Sequence, residues 1–309
     1  MGVLNGARNL KFLFILLTIK FIGADVTLYP HPSGIRSSDK FTVYVNHQQS
    51  FTYISTSDHR AQEVQHAHSH RSVSWTSFSI TRGHAIVEVH TQTDFRQCIV
   101  RPKHYGYHCK RTGTKTAQFT IDSNRRMMSV EFDYDYGSTH KDITDKLLIF
   151  ADPPETDVPK PNTLGVLFYS AGVTDLGGQK HLNASVQEVY LAPGAYVHGG
   201  FITTGHQSVK IHGRGVLSGE KYKFHDSRFN YALINMDKGS HHTVEGLVLV
   251  DPPYYFHRAL SVHNTMRNMK TVGAWTYNSD GVSLGDNGLV EDSFIMANDD
   301  SIKVTYLRD

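Results

Sequence analysis

Between Asp25 and Asp152 apolar and polar residues tend to alternate, the period of two expected when successive side chains of a strand point to opposite faces. The runs "FTVYV" (Phe41 to Val45), "AIVEVH" (Ala85 to His90) and "QFTID" (Gln118 to Asp122) are rich in β-branched and aromatic residues. In "VEFDYDY", Val130, Phe132, Tyr134 and Tyr136 alternate with Glu131, Asp133 and Asp135. That pattern predicts a strand with one apolar and one acidic face. Turn residues separate the runs in "HPSG", "TRG", "RTGT" and "DSN". No stretch sustains a 3.6-residue period, so the pattern predicts a β-sandwich over 25–152.

The pattern then changes. "DPPETDVPKPN" holds four prolines, which cannot donate to a ladder and stiffen an extended backbone, so residues 153–161 are expected to be a linker. Beyond it, short apolar runs are punctuated by Gly, Asn and Asp: "VYLAPGAYVHGG", "SVKIHGRGVLSG", "TVEGLVLVDPP", "NMKTVGAWTYN", "LVEDSFIMAND". Aligning the last three makes Val244, Met269 and Val290 equivalent, with steps of 25 and 21 residues. Strands recurring at such a period, without helices, predict a solenoid whose coils stack on one another. The L-x-x-L-x-L pattern of leucine-rich repeats is absent, so 162–309 reads as a parallel β-helix. A second sandwich with coincidental spacing is the alternative.

Composition adds limits. With 31 Lys and Arg against 29 Asp and Glu in 309 residues, no strong field points to nucleic acid or to an anionic membrane. Arg8 and Lys11, the apolar run Phe12 to Ile19, and small residues at Gly23 and Ala24 have the layout of a signal peptide over 1–24. The run is short for a bilayer span, so no membrane association is expected after its removal. Cys98 and Cys109 are the two cysteines, and the intervening segment could return as a hairpin that bridges them. Asn183-Ala184-Ser185 is an acceptor sequon for N-glycosylation. Histidines 59, 66, 68 and 70 cluster, but their spacing matches no metal template. They read as a polar loop, and no metal or cofactor is implied.

Near the end of the chain, "YNSDGVSLGDNGLVEDSFIMANDDSIKV" places Asp280, Asp299 and Asp300 at gaps of 19 and 20 residues. Strands of successive coils lie about 4.8 Å apart, so in a solenoid with a coil of about that length the three carboxylates converge on one face. Such crowding is electrostatically costly. Hydrolysis of a glycosidic bond makes use of it: one carboxyl stays protonated and donates to the leaving oxygen, while an ionised one activates water. Trp275, Tyr277, Tyr254 and Tyr255 are aromatic candidates for stacking on sugar rings. Lys303 could neutralise the carboxylates or bind a sugar hydroxyl. Asn278 and Asn298 are expected to shape turns.

At these residues the chain resembles the glycoside hydrolases of family 49, the dextranases and isopullulanase. "NSDGV", "NDDSIKV" and the upstream "VYLAPGAYVHGG" carry the resemblance. It implies an N-terminal β-sandwich followed by a right-handed parallel β-helix. It also implies an inverting secreted hydrolase of an α-glucan, with α-1,6 linkages favoured and Asp280, Asp299 and Asp300 as the catalytic set. Asp299 is then expected to be the acid, with Asp280 and Asp300 sharing the water. The family's β-helix is longer, so the chain is expected to be C-terminally truncated. Polygalacturonases carry similar aspartates with a G-H-G and an R-I-K, which are absent. A pectin-like polyuronide would call for a basic cleft, for which this stretch offers Lys270, Lys303 and Arg308. The other rival is a catalytically inactive glycan-binding β-helix.

Overall fold

In a computed structural model of the chain the described residues are 25–60, 70–133 and 143–304. The proposed leader 1–24 lies outside them, as do His66, His68, Tyr134, Asp135, Tyr136, Arg308 and the side chain of His59. His70 is exposed and its Nδ1 lies 2.9 Å from Asp58.

Two sheets form the N-terminal sandwich. One has the order Asp25–Leu28, Ser72–Arg82, Asp145–Asp152, Arg126–Phe132, Cys98–Arg101, with Tyr53–Thr56 also on Ser72–Arg82. The other runs Gln48–Ser50, Phe41–Val45, Ala85–Thr91, Thr116–Ile121, Lys110–Arg111. Pairing is antiparallel except where Asp145–Asp152 runs parallel to Ser72–Arg82. The period-two pattern decides which residues meet: Phe41, Val43 and Val45 are buried while Thr42 and Tyr44 are partly exposed. They join Phe78, Val87, Phe119, Met128 and Ile149 in one core.

Two local expectations need correction. The strand that holds Val130 runs from Arg126 to Phe132 and ends there. Glu131 is buried beside Arg101, whose Nε donates at 2.7 Å, so this face is not an exposed acidic one. Asp133 leaves the ladder with φ 50° and accepts the Arg96 and Gln97 amides at 2.8 and 2.9 Å. Cys98 and Cys109 are bridged, with Cα atoms 5.7 Å apart, but not within a hairpin. Cys98 starts a strand of one sheet and Cys109 precedes Lys110–Arg111 of the other, with the short 3-10 turn Lys103–Tyr105 between them. The bridge therefore ties the two sheets together.

No strand occurs from residue 153 to 165, the proline-rich stretch. A β-solenoid of parallel strands follows. One six-stranded sheet stacks Val166–Tyr169, Glu188–Leu191, Lys210–Gly213, Thr243–Glu245, Thr265–Arg267 and Leu289–Glu291. The other sheet bends at its nine-residue strand Ala195–Thr203. The first half of that strand leads to Val216–Ser218, Val248–Val250, Lys270–Val272 and Phe294–Ile295. Its second half leads to Ala232–Asn235, Tyr255–Ala259, Val282–Leu284 and Ile302–Val304. The fold is thus a parallel β-helix with three faces around an apolar interior that includes Leu191, Ile211, Leu217, Leu249, Phe256 and Met266.

The coil register differs from the alignment drawn on sequence. Val244 pairs with Met266, and Met266 with Val290. Met269 lies past the corner of its coil. The equivalent corners are Gly246, Asn268 and Asp292, with φ of 85°, 51° and 47°, residue types that tolerate the left-handed region. The apolar runs alone did not reveal this corner, because each coil places two short strands within eight residues and either can be matched to the other. Gly246 is a tight corner: a Cβ there would collide with the Gly213 carbonyl oxygen and the Arg214 guanidinium. Gly246→Ala should cost about 1–3 kcal/mol, read as a lowered urea midpoint. A midpoint equal to wild type would show that the corner relaxes freely.

The sandwich covers the second face. Tyr53, Val73, Trp75, Leu148 and Phe150 pack on Tyr196, Val216, Val248, Val250, Val272 and Trp275. Behind them Asp152 accepts from Lys270 Nζ, from Asn268 Nδ2 at 3.1 Å and from the Tyr29 hydroxyl at 3.2 Å, with Arg214 Nε 4.0 Å away. Among the described residues, the core that joins sandwich and solenoid includes none from the third face, which runs from Ala232–Asn235 to Ile302–Val304.

Candidate active site

The three final strands of that open face stack with Arg258, Ser283 and Lys303 in one row and His257, Val282 and Ile302 in another. The last step is 20 residues, so Asp280 falls beside Asp300. The backbone agrees: the Gly281 amide donates to the Asp300 carbonyl at 2.8 Å and the Val282 amide to Ser301 at 3.1 Å. The side chains converge as well. Lys303 Nζ lies 3.4 Å from Asp280 Oδ2 and 3.5 Å from Asp300 Oδ2, so one ammonium bridges two carboxylates. Its third neighbour is the Tyr255 hydroxyl at 3.4 Å.

Asp299 stands outside that bridge. Its Oδ2 accepts from Asn278 Nδ2 at 3.0 Å. Asn278 reaches it because its own backbone turns at φ 48°, while the Asn298 amide ties back to the Thr276 carbonyl at 3.0 Å. Both asparagines shape the turns, as expected, and Asn278 also touches a carboxylate.

Burial separates the three acids. Asp280 is 2% exposed, whereas Asp299 and Asp300 are exposed. Among the described residues the Asp280 Oδ1 has no hydrogen-bond partner. Burial lifts its carboxyl above the ordinary value, the Lys303 ammonium opposes that, and the neighbouring Asp299 and Asp300 add a smaller upward push. Desolvation, more than the repulsion anticipated from the spacing, is therefore the main cause, and it acts on Asp280. Lys303 is held above its usual range by the bond to the Tyr255 hydroxyl and by the Asp280 charge.

Other expectations change. Trp275 is not available to a substrate: it is 8% exposed, packs in the core between sandwich and solenoid, and donates its indole N–H to Ser55 Oγ at 2.6 Å. An apolar ring that completes an inter-layer core looks the same in sequence as one that stacks on a sugar. Lys270 is fully buried against Asp152 and offers nothing to a cleft. Tyr277 is 41% exposed with its ring 5.9 Å from Phe224. Tyr254 and Tyr255 stack at 4.6 Å, placing an aromatic surface next to the Lys303 bridge. Phe224, His225 and Tyr231 extend that surface. They lie about 50 to 80 residues upstream of the aspartates, and only coil stacking brings them near. Asn183 is exposed, its Oδ1 accepting from the Ser185 amide and hydroxyl at 3.0 and 2.6 Å. Among the described residues no group of three or more His, Cys, Asp or Glu is placed to hold a metal ion. No helix there is long and apolar enough to cross a membrane.

No family model matches the chain. Known proteins do. A dextranase of Arthrobacter globiformis is 29% identical over 167 residues, 46% of this chain and 26% of that protein. A dextranase of Talaromyces minioluteus is 27% identical over 274 residues, 67% of this chain and 45% of that protein. An isopullulanase of Aspergillus niger is 29% identical over 226 residues, 58% of this chain and 40% of that protein. The chain thus spans less than half the length of each of these relatives. Among solved structures, Dex49A from Penicillium minioluteum superposes with a TM-score of 0.71 and 20% identity, over 91% of this chain and 68% of that one. The chain is a homologue of the dextranases and of isopullulanase, the group its aspartate motifs resemble.

Proposed function

We propose that this chain carries the acid–base site of an exported α-glucan hydrolase that inverts configuration, with α-1,6 linkages favoured. The observation that carries the reading is the Lys303 ammonium bridging Asp280 and Asp300, with Asp299 beside them but outside the bridge. An adjacent ammonium favours the ionised form of a carboxyl. Asp280 and Asp300 are therefore the pair that orients and deprotonates the attacking water, and burial strengthens Asp280 as a base. Asp299, exposed and free of the ammonium, is the proton donor to the leaving oxygen. Water attack on the anomeric carbon breaks the bond to that oxygen in one displacement, so the released sugar carries the opposite anomeric configuration. The disulfide between Cys98 and Cys109 favours an oxidising compartment, which fits a leader at residues 1–24.

Dextran and pullulan incubated with the purified chain, and followed by proton NMR of the first products, test this. Appearance of the β-anomer ahead of mutarotation is the expected result. Retention of the α-anomer would overturn inversion, and hydrolysis of polygalacturonate in preference to either glucan would overturn the substrate class.

A further inference from the structure

We propose that the pocket lined by His225, Asp226, Phe229, Asn230, Tyr231 and Tyr254 is a distal subsite that seats a sugar ring of a neutral α-glucan chain. The inference rests on the glucan reading above and extends it to a part of the face that holds none of the three acids.

Placement comes first. Register pairs Asn235 with Arg258, Arg258 with Ser283 and Ser283 with Lys303. Tyr231 immediately precedes the strand Ala232–Asn235, which therefore lies three coil steps, about 14 Å, from the strand that carries Lys303. The interval is not empty. The Tyr254 and Tyr255 rings stack at 4.6 Å, and the Tyr255 hydroxyl touches Lys303. A glucan chain lying across the coils would run from the carboxylates over this pair and reach the pocket.

The pocket has the shape and chemistry for such a ring. Its volume is about 360 Å³, within the range of small-molecule sites. Tyr254 meets His225 edge-on at 4.4 Å and Tyr231 at 5.8 Å. The Arg258 guanidinium lies over the Tyr231 ring at 4.5 Å and holds it upright although the residue is 51% exposed. An aromatic face beside amide and carboxylate groups is what a pyranose needs, since its C–H face is apolar and its rim is hydroxylated.

Backbone strain points the same way. Tyr231 and His225 have φ of 61° and 53°, uncommon for bulky side chains and costly unless the surroundings impose it. Here they do. The Tyr231 carbonyl accepts from the Tyr255 amide at 2.8 Å, the His225 amide donates to Pro253 at 3.0 Å, and the Asn230 amide donates to Gln179 Oε1 at 2.9 Å. The loop is built to present these rings to solvent, which burial alone would not require.

Charge selects the ligand. Arg228 is held by Asp226, with Nε and Nη2 donating at 2.8 and 2.7 Å, and Arg258 is paired with Asp237. Both guanidiniums beside the pocket are thus neutralised, and a uronate would meet no unpaired cation from either. Neutral glucosyl rings fit.

The test is calorimetric titration of short and long isomalto-oligosaccharides into the chain carrying Asp299→Asn, which slows turnover during the measurement. Adding Tyr231→Ala should weaken the long oligosaccharide about 10-fold and leave the shortest unchanged, while Tyr231→Phe restores the affinity. Equal weakening of short and long ligands, no change in either, or tighter binding of oligogalacturonate would overturn the subsite. Tyr231-dependent binding of the long ligand together with an inactive wild-type chain would uphold the subsite and remove the catalytic reading instead.

Discussion

Asp299→Asn is expected to lower glucan hydrolysis by about 10² to 10⁴-fold, the usual contribution of a positioned general acid, while leaving the unfolding transition where it is. The side chain is exposed and makes one amide contact, from Asn278, so its replacement opens no cavity and strands no buried partner. Activity within a few-fold of wild type would remove Asp299 from the donor role. Asp280→Asn should also abolish turnover but with a different signature in stability. The folded carboxyl titrates above its unfolded value because it is buried. The protonated form is therefore favoured by folding, and ionisation costs stability as pH rises from the ordinary carboxylate range through the raised folded value. The neutral amide avoids that cost, so the variant should be the more stable protein at neutral pH, and the advantage should vanish in acid. A variant less stable than wild type at every pH would mean that the Lys303 pairing outweighs desolvation.

The second large effect lies away from the cleft. Asp152→Ala should destabilise the chain by about 3–5 kcal/mol, because it leaves Lys270, which is 0% exposed, without its anion. Burial pushes the Lys270 ammonium below its ordinary range, and the Asp152 charge is what opposes this. Asp152 also accepts from Asn268 and Tyr29 and lies near Arg214, so its loss exposes several polar groups to an apolar junction at once. Pairing the change with Lys270→Met should recover much of the loss, since removing both partners of a buried pair costs far less than removing one. Denaturant unfolding of the two variants measures this. A shift below about 1 kcal/mol for Asp152→Ala would show that the junction is hydrated.

Much of the molecule is legible without coordinates. Alternation in "FTVYV" and "AIVEVH" determines which side chains enter the sandwich core, because a strand can place only every second residue on one face. Corner residues Gly246, Asn268 and Asp292 mark the coils by the same local logic, for few other residues accept a positive φ cheaply. The approach of Asp280 to Asp300 follows from coil length alone, since a 20-residue step returns the chain to the same face. What only the tertiary structure decides is what each face meets. Trp275 and Lys270 have the composition of cleft residues, yet the sandwich covers the strand they flank or occupy and turns both into junction. Asp280 becomes the perturbed carboxyl because it is the buried one, a property of packing that spacing does not encode. The aromatic surface of Phe224, His225, Tyr231 and Tyr254 is scattered along the chain and meets through stacking between coils. Local sequence sets dihedral preferences and periodicity within a coil; contacts between layers depend on desolvation and shape that no single segment carries.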